Sequence, residues 1–555
     1  MGDKRLDDAG AMAEQRTQEL SDPIQDMPDR ADPGDDTGSG AARPRIRRGW
    51  AALAWIAGGI ALYALLLKIS LTQQVTSDSA NNALQAWDMM HGNPSLHGWI
   101  LGDVTFYTFE LPLFGVIELF FGLHTIAVHV SMALIFLIVA GCAAAIAVTG
   151  SHGPSRGARA AVVVAVLAAP ILTASDAWIA LGLPDHFGTG VFLLVSFLLI
   201  DRAAAGRYTA PLLCAILCAG QISDVTVRYV AVPAIALVCA YQMAVERKLM
   251  TRDGANLLAA LLSVPLALAI RRAMLHFGWY LMVAPNTKIA PVGHWPHNIA
   301  ITWVAVRELF GAADGGARPA GSTVIFGYAC LLVVAIGMLR VLWRWRTARR
   351  VEQVLLVAIA AIVALYTFST LASPRSPHDL LPVLQCGAAL AARALVPDRI
   401  TARLTALAVS GLAAVAALLP LALAAAPPPV ETSTPVQLSA WLSAHGLRYG
   451  LAGYWDGSAV NVQSGNQVQI GTIEVVDGRK ITPYPWEADL LWFDPAKHYA
   501  NFVVIDVVEG QGLGSNVERI FGQPASTHRL GTREILIYRK NLLLQVRPAR
   551  LPATN

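Results

Sequence analysis

The sequence carries little charge for its length, and this scarcity decides the class of protein. Of its 555 residues, 14% are Asp, Glu, Lys or Arg, against about 25% in a soluble globular protein. The charge is also uneven, because 19 charged residues lie in residues 1–48, 22 in residues 431–555 and 39 in the 382 residues between them. A soluble enzyme and a nucleic-acid-binding protein are therefore excluded.

Cysteine motifs and nucleotide-binding motifs are missing too. The six cysteines lie in apolar stretches without C-x-x-C spacing, which excludes a disulfide framework and a zinc site and indicates small core residues within helices. The sequence contains no Walker-type loop, no G-x-G-x-x-G fingerprint and no Ser-His-Asp arrangement. ATP hydrolysis and hydride transfer are therefore not expected.

What the sequence has in abundance is apolar runs, since 55% of its residues are hydrophobic. Because about 20 apolar residues cross a bilayer as a helix, the runs predict about 11 transmembrane helices. The fold class is a polytopic α-helical membrane protein with a small α+β C-terminal extracytoplasmic domain. The predicted spans are residues 50–71, 124–149, 160–175, 187–200, 208–222, 229–245, 254–272, 322–342, 353–371, 380–396 and 404–426.

Arginine and lysine predict the orientation of these helices. The loops at one end of the helices are basic and the opposite loops carry Asp and Glu. The positive-inside rule therefore places the basic loops on the cytoplasmic side of the membrane, which we expect to be a bacterial cytoplasmic (inner) membrane. Four arginines also precede the first span, which makes the N-terminus cytoplasmic, and eleven helices then place the C-terminal domain outside. The basic loops contain Arg156 and Arg159; Arg202 and Arg207; Arg247, Lys248 and Arg252; Arg340, Arg344, Arg346, Arg349 and Arg350; and Arg393, Arg399 and Arg403.

Three regions follow from this pattern. Residues 1–48 are acid-rich and lack apolar periodicity, which predicts a disordered cytoplasmic N-terminus. Residues 49–426 form the transmembrane domain, with long outer loops at 72–123 and 276–321. Residues 427–555, which begin with three prolines, form the C-terminal domain. Further elements are predicted as helices over 78–91, Leu111–Leu123 (lying at the membrane interface) and Pro435–His445, and as strands over Val460–Ile470, Asn501–Val508 and Glu534–Tyr538.

The first outer loop carries the strongest local signal. On the helix predicted over 78–91, Asp78, Asn82 and Gln85 are spaced at i, i+4 and i+7 and therefore share one polar face. A carboxylate there can take a proton from an acceptor hydroxyl while the amides hold a sugar. The alternative is that Ser77 or Asp78 is only the N-cap of the helix.

This segment resembles the opening of the GT-C superfamily of integral-membrane glycosyltransferases. The resemblance rests on an acidic residue just after the first transmembrane helix, on the small residues that follow it, on the spacing Ala86-x-x-Met89-x-x-Gly92 and on a second helix parallel to the membrane. It implies an enzyme that moves a sugar from a polyprenyl-phosphate donor to a cell-envelope glycan or glycolipid acceptor at the outer face, with Asp78 as base and no certain cofactor. Many members carry Glu after this Asp, whereas Ser79 follows it here.

A polyprenyl-phosphate donor needs cations near the outer interface, because its phosphate must be neutralised as the glycosidic bond breaks. Arg271 and Arg272 end the seventh span. Arg375 lies in a segment similar to the Arg-Tyr-x-x-Pro stretch of the family, with His378 and Asp379 where an aromatic residue is more usual. These residues are the expected donor-binding residues. Arginines that anchor the helix ends in the head-group region are the alternative.

Other charged residues lie at predicted outer ends of helices. His186 is a candidate sugar or phosphate contact, and Asp185 is a candidate contact or helix cap. Asp176 and Asp185 flank one short loop and together can hold a divalent cation through oxygen ligands, although their spacing matches no known ligand set and no metal site is assigned. Asp224 and Arg228 are four residues apart and are expected to form an ion pair.

The C-terminal domain has an aromatic-rich set with two interpretations. Aromatic rings beside carboxyl and amide groups are typical of sugar-binding surfaces, but they also build the core of a small domain that has no disulfides. The set includes Tyr454, Tyr484, Trp486, Trp492 and Phe493.

Two functions other than glycosyl transfer remain open. A transporter or flippase for a lipid-linked glycan would need charged or broken segments near the bilayer midplane, whereas this chain keeps its acids at the outer rim. An inactive membrane scaffold is suggested by the Ser that follows Asp78. The sequence favours the glycosyltransferase.

Overall fold

The computed structural model describes most of the chain from residue 42 to residue 547. The chain divides into two compact units, Met1–Ala57 and Gly58–Asn555. The predicted disordered segment lies almost entirely outside the described residues. The described ranges are 42–172, 177–182, 186–201, 208–249, 251–283, 287–312, 321–400, 434–508 and 513–547, with isolated positions between 401 and 433.

Helices dominate the described part of the chain before residue 400. Their bounds are α1 (Ala42–Ser70), α2 (Ser77–Met90), α3 (Glu110–Phe121), α4 (Thr125–Val148), α5 (Pro154–Leu167), α6 (Trp178–Leu181), α7 (Thr189–Asp201), α8 (Thr209–Ser223), α9 (Thr226–Glu246), α10 (Arg252–His276), α11 (Trp295–Leu309), α12 (Gly321–Trp343), α13 (Arg350–Phe368) and α14 (Leu381–Leu395). Two short strands, β1 (Trp99–Leu101) and β2 (Leu281–Met282), lie in the two long loops.

A helix occupies each of the first ten predicted spans. Within the described residues, six helices are long and apolar enough to cross a membrane, namely α1, α4, α9, α10, α12 and α13, and α7 and α8 are shorter apolar helices. The eleventh predicted span, 404–426, lies mostly outside the described residues. The chain is thus a polytopic membrane protein.

The start of one helix and the content of one loop differ from the sequence prediction. Helix α1 begins at Ala42 rather than near residue 49, because the Ala and Arg residues before the apolar run are themselves good helix formers. The second long loop contains α11, a helix that was not predicted. Its buried residues follow a helical spacing and are Asn298, Thr302, Ala305 and Leu309.

The two helices predicted in the first long loop are present as α2 and α3. Thr76 is the N-cap of α2, since its side chain accepts a hydrogen bond from the Ser79 backbone N–H, and the Ser79 side chain accepts one from the Thr76 backbone N–H. This capping box leaves Asp78 out of the cap. The alternative that Ser77 or Asp78 caps the helix is therefore wrong.

Buried charges tie the helices together at the end opposite to the long loops. Arg393 on α14 is buried and pairs with Asp201 at 3.1 Å and Glu352 at 3.3 Å. Arg159 on α5 pairs with Asp398 at 2.7 Å. Charges in such positions persist only when they are paired, so these contacts fix how the helix ends meet.

The C-terminal domain is a sheet covered by helices on both faces. Along β7 the side chains alternate, with Val503 and Ile505 in one apolar cluster and Phe502 and Val504 in another. The strand order is β5-β4-β3-β7-β9-β8, with β3 parallel to β4 and β7. The elements are α15 (Thr434–Ala444), β3 (Tyr449–Ala452), α16 (Tyr454–Gln463), β4 (Gln469–Val476), β5 (Lys480–Pro483), β6 (Ala488–Asp489), β7 (Phe502–Asp506), α17 (Gly514–Phe521), β8 (Ser526–Leu530) and β9 (Arg533–Ile537).

One strand prediction in this domain is wrong and two are confirmed. Val460–Ile470 was expected to be a strand but contains the end of α16 and the start of β4. Parallel strands need a crossover between them, and α16 provides it between β3 and β4. The interleaving of helices and strands also makes the domain closer to an α/β sandwich than to a segregated α+β fold. The strands at Asn501–Val508 and Glu534–Tyr538 are present as β7 and β9.

A second, three-stranded sheet joins the long loops to the C-terminal domain. Strand β1 lies between β2, with which it pairs in parallel, and β6, with which it pairs antiparallel. Helix α2 also packs against α16. The C-terminal domain is thus attached to the loop side of the helices by backbone hydrogen bonds and by side-chain contacts.

The structure places two exposed residues at opposite ends of α4. Gln467 lies two residues from Gly465, where a Cβ atom would be 3.6 Å from the carbonyl oxygen of Leu123 before α4 begins, and His152 follows the other end. The 24 residues of α4 span about 36 Å, more than the hydrocarbon core of about 30 Å. We expect His152→Cys and Gln467→Cys to label oppositely with an impermeant maleimide in intact cells, and only Gln467→Cys to react. Equal labelling of both, after subtraction of the wild-type background, would contradict the predicted orientation.

Candidate active site

A chain of hydrogen bonds connects Asp78 to the C-terminal domain. The hydroxyl of Tyr454, at the start of α16, donates to Asp78 Oδ1 and lies 2.7 Å from Glu487 Oε2. Asn81 donates to the same Glu487 oxygen at 3.1 Å, and Ser77 Oγ donates to the backbone carbonyl of Tyr454 at 2.6 Å. The first turn of α2 is therefore docked on Tyr454, and Asp78 remains half-buried at the edge of this contact.

The protonation state of Tyr454 decides how the hydrogen bonds between Asp78, Tyr454 and Glu487 can rearrange. Burial raises the pKa of Tyr454 well above 10, and the neighbouring charges of Glu487 and Asp78 raise it further, so the phenol keeps its proton. One phenolic proton can be donated to one carboxylate at a time. When Asp78 gains a proton, the Tyr454 hydroxyl can donate to Glu487 instead, and the buried carboxylate does not lose its partner.

Asn82 and Gln85 are on α2, as predicted, and both are buried. Neither the amide nitrogen nor the amide oxygen of Asn82 has a hydrogen-bond partner within the described residues, and the same is true of Gln85 Nε2. A buried polar group without a partner costs about 1–3 kcal/mol. Such groups in a folded protein indicate water or a ligand at that position.

A second polar cluster surrounds His186, just before α7. His186 Nδ1 lies 2.6 Å from Asp224 Oδ2, and its Nε2 lies 3.1 Å from Asp379 Oδ1. Asp224 also accepts hydrogen bonds from the hydroxyl of Thr189 and from the backbone N–H of Thr226, the latter at 2.7 Å. His186 has a φ of 56°, a left-handed conformation that costs a residue with a Cβ about 1–2 kcal/mol. The two ion pairs hold the ring there.

These ion pairs set the charge of the cluster. Burial by itself lowers the pKa of His186, but Asp224 and Asp379 outweigh it and raise this pKa well above 6.5. Burial raises the pKa of Asp224, and His186 together with the hydrogen bonds of Thr189 and Thr226 lowers it below 3.8. At neutral pH the cluster therefore contains an imidazolium between two carboxylates.

Further acids face the same cluster with different protonation. Burial raises the pKa of Glu110, at the start of α3, to about 8, so its carboxyl group is neutral at pH 7. Burial also raises the pKa of Asp103, which is close enough to interact with His186. A side chain at Gly188 would overlap the carboxyl group of Glu110, so this glycine is required for the close packing.

Asp224 and Arg228 do not form the predicted ion pair. Helix α8 ends at Ser223 and α9 begins at Thr226, so the two residues are not four apart within one helix. Asp224 pairs with His186, and Arg228 Nε donates to Gln221 Oε1 at 3.2 Å.

Arg228 lies near Arg271 instead, and the two guanidinium groups repel each other. Arg228 Nη2 is buried and has no hydrogen-bond partner among the described residues. Arg271 is buried too, and its Nη1 lies 3.5 Å from the soft sulfur of Met282. Two neighbouring buried cations form a site suited to an anion such as phosphate.

The other residues predicted for the site are spread more widely. Arg272 and Arg375 are exposed. His378 lies in a turn beside His186, with ring centroids 6.1 Å apart; burial lowers its pKa, and its Nδ1 has no partner in the described structure. Asp185 and Asp176 lie outside the described residues. Within the described ranges, no group of three or more His, Cys, Asp or Glu side chains is placed to hold a metal ion.

Three acids and one tyrosine were not predicted to belong to the site. Tyr454 was noted only as part of an aromatic set, Asp103 counted only as one of the acids of the outer loops, and Glu487 gave no local signal. Glu487 has a φ of 47°, which the sequence does not reveal. The one available hint was the position of Asp379 beside His378, in the segment that resembles the family.

The His186 cluster makes a pH-dependent contribution to stability. A histidine whose pKa is raised by folding stabilises the protein fully below its unfolded pKa of about 6.5, and this stability is lost as the pH rises through the folded pKa. We expect His186→Gln to cost about 3 kcal/mol at pH 6, because it leaves two buried carboxylates without a cation, and the cost to shrink at alkaline pH. Thermal unfolding of the purified protein from pH 6 to pH 10 measures this.

The matched control is His152→Gln, at an exposed histidine. It should leave the unfolding curve unchanged at every pH. The titratable groups that face His186 are Asp224, Asp379, Asp103, Glu110 and His378. A gap between wild type and His186→Gln that is constant over the whole range would show that His186 is not held as a cation.

Comparison with known proteins supports one fold. No family profile matches the sequence, and no curated protein matches it. Among solved structures, it is similar to ArnT from Cupriavidus metallidurans bound to undecaprenyl phosphate, with 14% identity, a TM-score of 0.53 and coverage of 90% of this chain and 99% of that one. The apo state of the same protein matches with 13% identity, a TM-score of 0.53 and coverage of 90% and 100%. The chain therefore has the fold of ArnT, which agrees with the polytopic helical architecture expected from the sequence.

Proposed function

We propose that this protein is a membrane glycosyltransferase that moves a sugar from a polyprenyl-phosphate donor to a cell-envelope glycan or glycolipid at the outer face of a bacterial cytoplasmic membrane. The observation that carries the proposal is the position of Asp78. Its carboxylate lies half-buried at the start of α2, oriented by Tyr454, in a chain that has the fold of a protein seen with undecaprenyl phosphate.

Asp78 acts as the general base in this proposal. It takes the proton of an acceptor hydroxyl as that oxygen forms a bond to the anomeric carbon, and the bond from this carbon to the phosphate oxygen breaks with its electron pair leaving on the phosphate. Tyr454 holds the carboxylate in place. The hydroxyl of Tyr454 turns to Glu487 when Asp78 becomes protonated, so no buried charge is left without a partner.

The leaving polyprenyl phosphate needs a positive environment, because negative charge accumulates on it in the transition state. Arg228, whose buried Nη2 has no hydrogen-bond partner among the described residues, and its buried neighbour Arg271 supply it. Arg272 and Arg375, being exposed, make a smaller contribution to donor binding. His186 and His378 lie in a cluster rich in carboxylates and face the sugar rather than the phosphate.

Ser79, which replaces the second acid of many GT-C members, does not argue for an inactive scaffold. Its position is the third of α2, where the side chain closes the capping box with Thr76. Glu and Ser both serve there by accepting a hydrogen bond from the N-cap backbone. Glu487 also brings a second carboxylate to Tyr454, next to Asp78, from another part of the chain.

Asp78→Asn tests the base directly. Asn keeps the size of the side chain and an oxygen that accepts from Tyr454, but it does not take up a proton at neutral pH. We expect turnover to fall by about 10²–10⁴-fold while the thermal unfolding midpoint changes little. Sugar transfer from a radiolabelled polyprenyl-phosphate donor measures the rate.

Thr76→Ala is the control for helix stability. It removes the N-cap and should cost about 1 kcal/mol of stability without changing turnover per folded molecule. If Asp78→Asn retains wild-type turnover, Asp78 is not the base. If the wild-type protein itself transfers no sugar, the transporter or the scaffold becomes the better explanation.

Arg271→Gln tests the phosphate site. Loss of a charge-assisted hydrogen bond of about 1.5–3 kcal/mol should weaken the binding of undecaprenyl phosphate by about 10–100-fold. Arg271→Lys should restore binding only in part, because Lys lacks the two-pronged geometry of Arg. Equilibrium binding to the purified protein measures this.

Arg340→Gln, at an exposed arginine near the end of α12, is the matched control and should bind as the wild type does. The same change at Arg272 and at Arg375 ranks the exposed cations. Wild-type affinity in both Arg271→Gln and Arg228→Gln would remove this pair from the donor site.

A further inference from the structure

A cavity of about 250 Å³ lies between the first long loop and the C-terminal domain. Its walls come from α2 and β1 on one side and from α16, β4, β6 and the turn that follows β6 on the other. At about 30 Å³ per water molecule it holds roughly eight waters, so one small ring fits while a lipid chain does not. Its lining residues are Asn81, Leu84, Trp87, Asp88, Trp99, Ser458, Asn461, Asn466, Gln469, Ile470, Gly471, Thr472, Glu487, Ala488, Asp489, Trp492, Phe493 and His498.

Aromatic rings line the cavity and are held in fixed positions. Trp492 stacks on His498 at 5.4 Å between centroids, and its indole N–H donates to Gln469 Oε1 at 3.1 Å. On the other wall, the indole N–H of Trp99 donates to Asp88 Oδ2 at 2.8 Å. Rings held in place by hydrogen bonds lose little entropy when a ligand packs on them.

The charged groups of the cavity are acidic. Asp88, Glu487 and Asp489 line it, and no Lys or Arg of the described chain does. Burial raises the pKa of Asp489 to about 6, so it is mostly ionised at pH 7. Such a lining repels a phosphate, a carboxylate or a sulfate, and accepts hydrogen bonds from hydroxyl and ammonium groups.

The cavity is also connected to the proposed base. Glu487 lines the cavity and is bonded to Tyr454, which in turn donates to Asp78. Asn81, one turn into α2, lines it as well and donates to Glu487. A ring bound in the cavity is therefore within two side chains of the carboxylate that would deprotonate an acceptor hydroxyl.

We infer that this cavity binds one sugar ring of the acceptor, and that the ring is neutral or carries an amino group. Aromatic faces with amides and carboxylates around them are the chemistry that recognises a polyhydroxylated ring. That the bound sugar belongs to the acceptor rests on the proposed function. Binding of a sugar in the cavity does not depend on catalysis.

The test measures the binding of methyl glycosides to the full-length protein in detergent by saturation-transfer NMR. The probes are methyl glycosides of arabinose, galactose, glucose and mannose, together with the glucosamine and glucuronate counterparts of the glucose ring. We expect at least one neutral sugar to bind, glucosamine to bind at least as well as glucose, and glucuronate to bind about tenfold more weakly or not at all. Binding of none, or equal binding of glucuronate and glucose, would overturn the inference.

Substitutions locate the binding in the cavity. Trp492→Ala should weaken binding by about tenfold, and Trp492→Phe, which keeps an aromatic ring in case the Ala variant unfolds, should weaken it less. Asp489→Asn should abolish the preference for glucosamine over glucose. Asp477→Asn is the matched control, because Asp477 is exposed in a turn with a φ of 53°, which Asn tolerates. Wild-type binding in Trp492→Ala and Trp492→Phe would place the sugar elsewhere.

Asp78→Asn separates this inference from the proposed function. If both are right, the variant binds the acceptor sugar in the cavity and does not transfer the donor sugar to an acceptor. If the variant still transfers the donor sugar while Trp492→Ala loses binding of the acceptor sugar, the proposed base is wrong and the sugar site stands. If transfer depends on Asp78 while the cavity variants bind normally, the sugar site is wrong and the proposed function stands.

Discussion

The hydroxyl of Tyr454 is the contact on which the arrangement of the site depends. It touches Asp78 of the transmembrane half and Glu487 of the C-terminal domain. Two carboxylates this close to each other repel. The hydroxyl of Tyr454 donates to one of them at a time and Asn81 also donates to Glu487, so each acid has a hydrogen-bond donor within reach where α2 packs against the C-terminal domain.

The helices were predictable from sequence because each is decided locally. A run such as Thr125–Val148 is apolar over its whole length, and no distant contact is needed to make it a helix in a bilayer. Helix ends were less predictable, since α1 extends seven residues into a basic segment that has no apolar signal. The N-cap of α2 was also hard to locate from sequence. Thr76, Ser77 and Asp78 are all good capping residues, and only the backbone geometry distinguishes them.

The candidate site was predictable only where its residues are neighbours in sequence. Asp78 follows the first span and could be found, but its partner Tyr454 is 376 residues away, and no spacing rule connects them. The Asp224–Arg228 pair shows the opposite failure, because the i, i+4 spacing favours an ion pair only inside one helix. One helix ends before Asp224 and the next begins before Arg228. The carboxylate of Asp224 pairs instead with His186, which lies in a separate loop.

The small sheet of β2, β1 and β6 connects the cationic pair Arg228 and Arg271 to the acidic cavity. Strand β2 contains Met282, which contacts Arg271 of the cationic pair, and β6 contains Asp489, which lines the acidic cavity. Strand β1 pairs with both, so the outer strands are about 10 Å apart. A phosphate is attracted to one edge and repelled from the other, and a neutral or amino sugar has no such preference for the cationic edge. In the proposed function, the hydrogen-bonded backbone between the two edges sets the distance across which donor and acceptor meet at Asp78.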